Sequence, residues 1–279
     1  MIGVVDVGGG LRAIYGVGVF DYCMDQGIAF DYCAGVSAGS ANLASYLAGQ
    51  RGRNYRFYTD YAFRREYMSF HNYVHHGSYI DLDYVYSVLS NGGGEDPLDY
   101  PSLSKNPAVF TVVATDAVTG RACYFSKSDM AQDRYDIFKA SSALPVFCRP
   151  YQIGEGVYYD GGISDPIPFE RALADGCDRV AVVLTRPADY RRDGRKDARL
   201  ARLLHRTFPA AGEALRLRYK TYNDALDRLE RAAADGRVLI IAPDDCCGMN
   251  TLTKNRENMD RLYQKGYADG ARISEWLAK

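Results

Sequence analysis

Long apolar runs are absent from this 279-residue chain. The longest, Val180–Leu184 and Val238–Ala242, are strand-sized, far below the roughly 18–20 residues a spanning helix needs. No basic segment precedes an apolar stretch at the N-terminus. Met1 leads straight into Ile2-Gly3-Val4-Val5, which reads as a first strand rather than a signal peptide. The seven cysteines are odd in number and include no C-x-x-C pair. That argues against a disulfide framework or a zinc ribbon, and a reducing cytoplasm is the expected location. Net charge is almost absent too, at −1, so no whole-chain field draws the protein to nucleic acid and no nucleic-acid partner is expected. Low-complexity segments and internal repeats are missing. What is present, 47% apolar and 25% charged residues, suits a soluble globular chain with a substantial core.

Strands and helices alternate from the start. Ile2–Val7 is β-branched and ends in Gly8-Gly9-Gly10, Ala13–Gln26 has helical spacing up to Gly27, Tyr32–Val36 reads as a second strand, and Ala38–Leu47 as a second helix. A β-α-β-α opening implies parallel strands joined by right-handed crossovers. Arg53–Tyr67 is expected as an exposed helix, His71–Ser78 as irregular chain, Leu82–Leu89 as a helix, and Gly92–Pro107 as a surface loop. Val109–Thr115 and Ala122–Ser126 read as a hairpin around a Thr-Gly turn. Further along, Tyr135–Ser142 and Phe169–Asp175 are expected helices, and Val157–Asp160 and Val180–Leu184 strands. Val238–Ala242 is the last expected strand, and Asn258–Leu277 a single closing helix. The whole is expected as one α/β domain over residues 1–279, with a core of 1–185, a basic helical segment of 186–235 and a closing strand and helix in 236–279.

Gly35-Val36-Ser37-Ala38-Gly39 has the form G-x-S-x-G where a strand passes into a helix. A serine there stands on a tight turn with its hydroxyl lifted from the carboxyl edge of the sheet, so Ser37 is the candidate nucleophile. Its plain alternative is a helix N-cap. An alcohol needs a base. The order Ser37, a later Asp, then His205 would suit an α/β-hydrolase. However, that fold places several strands before its serine, and His205 lies inside a basic amphipathic stretch. Asp160, at the end of a short strand and before Gly161-Gly162, is the better candidate: two glycines let a turn present the carboxylate inward, where poor solvation strengthens it as a base.

The loop Gly8-Gly9-Gly10-Leu11-Arg12 exposes backbone N–H groups before a helix, which can serve a phosphate or an oxyanion. The spacing Gly8-x-Gly10-x-x-Ala13 also fits a dinucleotide fingerprint. That alternative, a nucleotide-binding module, expects a carboxylate at the end of the second strand. Ser37 stands there instead, and Asp31 lies at the strand's beginning.

Taken in order, three motifs resemble the patatin-like phospholipases, in a bacterial branch of that family. Gly8–Arg12 is similar to their G-G-G-x-R/K loop, Gly35–Gly39 to their nucleophile elbow, and Asp160-Gly161-Gly162 to their D-G-G/A motif. Val113–Asp116, Ala140–Pro145, Val238–Pro243 and Leu262–Tyr267 add to the likeness. The resemblance implies a three-layer α/β/α fold with a mostly parallel sheet. It implies hydrolysis of acyl esters, often phospholipids or lysophospholipids, through a Ser37–Asp160 dyad without histidine, metal or organic cofactor. It further implies an oxyanion hole from Gly8, Gly9, Gly10, Leu11 and Arg12, with Gly35, Val36, Ala38 and Gly39 shaping the elbow and Gly161 and Gly162 the aspartate loop. Ala13 departs from the family, which usually has glycine after the basic residue.

Other features read as ordinary chain. His71-x-x-x-His75 with His76 has metal-pair spacing but lacks the glutamate of H-E-x-x-H. Cys246-Cys247 follow two aspartates in a loop, and a reactive thiol there is a minor alternative. Arg186–Lys220 holds eleven Lys or Arg against four acids. It is expected as a solvated helix pair, or, given a lipid substrate, as a peripheral membrane contact. A catalytically weak protein recruited to membranes by this segment is a further alternative.

Overall fold

The computed structural model describes all 279 residues. Its eight strands are β1 (Ile2–Asp6), β2 (Tyr32–Val36), β3 (Val109–Asp116), β4 (Ala122–Ser126), β5 (Tyr151–Ile153), β6 (Gly156–Asp160), β7 (Arg179–Val183) and β8 (Val238–Ile241). They form one sheet in the order β5-β6-β3-β2-β1-β7-β8, with β4 also paired to β3. The five strands from β3 through β2, β1 and β7 to β8 run parallel. Buried on both faces, such strands read as continuous apolar runs, as β1, β2 and β7 do.

Helices cover both faces of the sheet. Strand residues alternate between two cores: Val4, Cys33 and Ala181 face one, and Val5, Tyr32, Ala34, Val180 and Val182 face the other. The first face carries α1 (Ile14–Asp25), α2 (Ala38–Leu47), α10 (Arg256–Asp269) and α11 (Ala271–Leu277). The second carries α7 (Phe169–Ala174) and α9 (Pro209–Ala234), through Phe169, Ala172, Leu226 and Leu229. This is the expected three-layer α/β/α arrangement. Helix α1 is apolar around most of its circumference because α10 covers the side the sheet does not. Gly18 of α1 and Gly266 of α10 sit against backbone of the opposite helix, which leaves no room for a side chain at either.

Several local expectations are corrected. The Arg53–Tyr67 segment is only helical over α3 (Arg53–Thr59) and a 3-10 turn at Tyr61–Phe63. It is not an exposed element, since Arg53 reaches inward to Ser90 Oγ at 2.8 Å and to the Asp96 carbonyl at 2.8 Å. The segment expected as irregular holds α4 (Phe70–His76), opened by the Ser69 side chain, which accepts the Asn72 N–H, and closed by left-handed Gly77. The surface loop contains α5 (Tyr100–Lys105), capped by Asp99. Strand β5 was not expected, and the closing helix divides at Gly270, which packs on Tyr22. The remaining two α-helices are α6 (Asp136–Ser142) and α8 (Arg195–Leu204), and Tyr84–Leu89 forms a π-helix within the expected Leu82–Leu89 helix. No helix is long and apolar enough to cross a membrane.

Candidate active site

Ser37 follows the last residue of β2 and precedes α2, with φ 55° and ψ −132°. A side-chain-bearing residue adopts that backbone only when its surroundings hold it there. Here the Ser37 N–H donates to Ser141 Oγ at 2.8 Å, and Ser141 Oγ donates to the Val113 carbonyl at 2.6 Å. The Ser37 carbonyl accepts from Ser40 N–H at 3.0 Å and Ser40 Oγ at 2.6 Å. Gly39 lets the helix start lie directly on β1, because a Cβ there would overlap the Asp6 carbonyl. Gly8, with φ +63°, likewise touches the Val36 carbonyl. The glycine loop and the serine turn are therefore in backbone contact. Ser37 is 8% exposed, at the base of a cleft rather than on the outer surface.

Strand β3 brings the aspartate to the serine. Val113 pairs with Val36 in parallel, and the next residue, Ala114, pairs with Asp160 in antiparallel fashion. The ends of β2 and β6 thus meet at one point of the sheet edge. Asp160 Oδ1 accepts the Gly162 N–H at 2.8 Å, while Oδ2 is buried without a hydrogen-bond partner. Burial raises the Asp160 pKa above the usual carboxylate range. Arg218, the Ser37 hydroxyl, the Gly162 N–H and Arg192 all act in the opposite sense. The carboxylate thus lies close enough to feel the serine hydroxyl without an aligned hydrogen bond to it.

The glycine loop is tied at both ends. Gly8 N–H donates to Asp6 Oδ1 at 2.9 Å, and Leu11 N–H donates to the Thr251 carbonyl at 2.9 Å. The Arg12 guanidinium donates to the Thr185 carbonyl at 3.1 Å and to Thr251 Oγ1 at 3.3 Å. The Gly9 and Gly10 N–H groups have no hydrogen-bond partner within the protein. Asp6 beneath the loop is fully buried and also accepts from Asn42 Nδ2 at 2.9 Å. Burial pushes its carboxyl up to about 6, against the two hydrogen bonds that lower it. Ala13 is fully buried beside this loop.

Two cavities meet at Ser37. One is lined mainly by apolar and aromatic side chains, among them Phe57, Tyr58, Leu82, Val85 and Leu144. The other is polar, and Asp160, Gly9, Gly10 and four arginines border it. The serine therefore divides an oily chamber from a cationic one.

Other singled-out residues lie elsewhere. His205 caps the end of α8, exposed, with Nδ1 3.2 Å from the Pro209 carbonyl, and lines neither cavity. The His71 and His75 rings stack 4.0 Å apart on α4, and no group of three potential metal ligands exists in the fold. Cys247 is a free thiol whose pKa burial raises. Strand β2 carries no carboxylate at its C-terminal end, and Asp31 at its start accepts the Ile2 N–H at 2.7 Å. Of the apolar residues Leu200, Leu203, Leu204 and Phe208 in the basic segment, Leu204 is buried, Leu200 and Phe208 are half-buried, and Leu203 is exposed.

Sequence reasoning missed Thr251 and Thr185, and touched Arg218 only through the basic bias around it and Ser141 only through the Ala140–Pro145 likeness. All four are held to the site by contacts from more than 25 residues away in the chain.

Residues 7–173 match the family described as patatin-like phospholipase, and residues 208–279 match a domain of unknown function. The uncharacterized protein YjjU of Escherichia coli K12 is 32% identical over 192 residues, covering 67% of this chain and 52% of that protein. The uncharacterized NTE family protein Rv2565 of Mycobacterium tuberculosis H37Rv is 25% identical over 181 residues, covering 62% of this chain and 28% of that protein. The chain thus spans about half the length of the first relative, and less of the second. The crystal structure of VipD from Legionella pneumophila aligns with a TM-score of 0.48 at 14% identity, covering 98% of this chain and 66% of that one.

Proposed function

The chain belongs to the patatin-like phospholipase family, a family of lipid acyl hydrolases, and from that premise we propose that it cleaves fatty acyl esters of phospholipids, lysophospholipids or related lipids through Ser37 and Asp160. The observation that carries this reading is the placement of Ser37, on a strained strand-to-helix turn, between a buried free carboxylate oxygen and two amides without partners. In the proposed reaction Ser37 Oγ attacks the ester carbonyl carbon and its proton passes to Asp160 Oδ2. Gly9 and Gly10 N–H then hold the oxyanion, which is worth most in a site that excludes water. The departing alkoxide takes the proton from Asp160, leaving an acyl-Ser37. Water deprotonated by Asp160 attacks that ester, and Ser37 leaves with its proton restored.

The two cavities support the same reading. The acyl chain occupies the apolar chamber and the alcohol portion the polar one, so the scissile carbonyl lies at their junction. The exposed cations of α8, Arg195, Lys196, Arg199 and Arg202, are proposed to rest on anionic lipid while substrate enters. The test is labelling by a fluorophosphonate together with turnover of a p-nitrophenyl ester. Wild type should label and turn over, and Ser37→Ala should do neither. An unlabelled, inactive wild type that binds a nucleotide would return the glycine loop to the dinucleotide alternative.

A further inference from the structure

Three arginines of the basic segment, Arg186, Arg192 and Arg218, are half-buried. With Arg12 they border the polar cavity beside Ser37, and Asp160 is the one carboxylate on its wall. Arg192 is paired with Asp197 at 2.7 Å. Arg12, Arg186 and Arg218 have no ion-pair partner. Arg12 is spent on Thr185 and Thr251, Arg218 on the Gly162 carbonyl at 2.6 Å, and Arg186 lies 4.2 Å over the Tyr190 ring. Burial lowers the pKa of both Arg12 and Arg218, and each is lowered further by an arginine neighbour. Asp160 offsets part of the Arg218 charge, and the guanidinium charge that remains around a wall with one carboxylate favours an anion.

The shape of the wall says which anion. A zwitterionic head group needs an aromatic or acidic cage for its ammonium. The Tyr190 face is already covered by Arg186, and Tyr222 meets Tyr190 edge-on at 70°. Asp160 is turned to the serine. Nothing on this wall offers a cation a seat, while guanidinium forks suit phosphate oxygens.

We propose that the polar cavity is a subsite for a net-anionic phosphate head group, so that phosphatidate-type esters are preferred over choline esters with the same acyl chains. This inference rests on the acyl-hydrolase reading and narrows it. It also gives the segment that matches a domain of unknown function a role at the site, since Arg218 belongs to it.

The test compares dihexanoyl phosphatidic acid with dihexanoyl phosphatidylcholine, both below their micelle concentrations, on the full chain. Wild type should favour the phosphatidic acid in kcat/KM by about tenfold or more, the scale of one charge-assisted hydrogen bond. Arg186→Gln should reduce that ratio about tenfold, and Arg186→Lys, which keeps the charge but loses the fork, should fall between the two. A ratio near one in wild type, or a ratio the glutamine variant leaves untouched, overturns the proposal. Calorimetry on the Ser37→Ala protein reads the subsite without turnover, so it decides even if no ester is cleaved. The same lipid preference in binding supports the proposal. Binding of inorganic phosphate with no preference between the lipids would assign the cavity to a free anion and overturn it.

Discussion

Val36 and Asp160 lie opposite consecutive residues of one strand, Val113 and Ala114, the first across a parallel ladder and the second across an antiparallel one. That register places Ser37, one residue beyond Val36, against the Asp160 carboxylate. Replacing either member of the pair should therefore leave the sheet intact and remove the chemistry. Ser37→Ala and Asp160→Asn are each expected to lower kcat for a p-nitrophenyl ester by at least about a thousandfold, with circular dichroism unchanged. His205→Ala should stay near wild type. A folded but inactive His205→Ala would instead require a histidine in the mechanism.

The acidic limb of the pH profile should report Asp160. Burial raises its pKa and Arg218 opposes the rise, so the base is recovered as pH climbs through a value above the ordinary carboxylate range. Removing the opposing charge raises the pKa further. Arg218→Gln should shift the acidic limb of kcat/KM for a neutral ester to higher pH, whereas a purely structural loss would lower the whole profile without moving its limb.

Turnover should also depend on the two free amides of the glycine loop. Gly9 stands at φ +129° and Gly10 at φ +61°, so a valine at either would turn the N–H groups away. Loss of one oxyanion donor costs about 2.7–4 kcal/mol of transition-state stabilisation. Gly9→Val should accordingly reduce kcat by about 10²–10³. Wild-type turnover by a Gly9→Val protein would remove this loop from the oxyanion assignment.

Asp6 predicts a stability effect separate from catalysis. Its carboxyl is raised from 3.8 to about 6 in the fold, and the group is fully buried. A raised folded pKa stabilises fully below the unfolded value, and that stabilisation is lost as pH rises through the folded value. The swing is roughly 3 kcal/mol. Urea denaturation at about pH 4 and about pH 7 should show that decline in wild type and a shallower one in Asp6→Asn. Identical declines in the two proteins would mean that Asp6 does not titrate in this window.

Lipid-surface contact can be read from salt dependence. Each basic residue near an anionic surface adds about 1 kcal/mol, within a Debye length. Sedimentation with anionic vesicles should fall steeply with salt, and fall in a variant with Arg195, Lys196, Arg199 and Arg202 changed to Gln. Equally poor sedimentation of both proteins at low salt would show that these side chains only face water.

The residues most legible in the sequence were those whose backbone chemistry is local. Ser37 and the three loop glycines announced themselves because a tight turn restricts which residues can form it. Asp160 was marked by the glycines after it, and the alternating strands and helices pointed to the layered fold. The α4 and α5 helices were obscured because short helices depend on caps, Ser69 and Asp99, more than on apolar periodicity. Arg53 looked like a surface charge, since nothing nearby in sequence foretells Asp96 and Ser90 as its partners. Arg218 and Thr251 could not be found by spacing, as their roles arise only when α9 and the loop before α10 fold back onto the sheet edge.

That fold-back sets how such a protein can be inherited. The Thr251 carbonyl closes the glycine loop through Leu11, and Arg218 holds the Gly162 carbonyl. The stretch after residue 207 is thus not a detachable cassette. A chimera that joins this N-terminal half to another protein's tail would inherit the serine and aspartate but lose the backbone that fixes the loop and the charge that faces Asp160. Recombination should succeed only where Thr251 and Arg218 travel with the segments they touch.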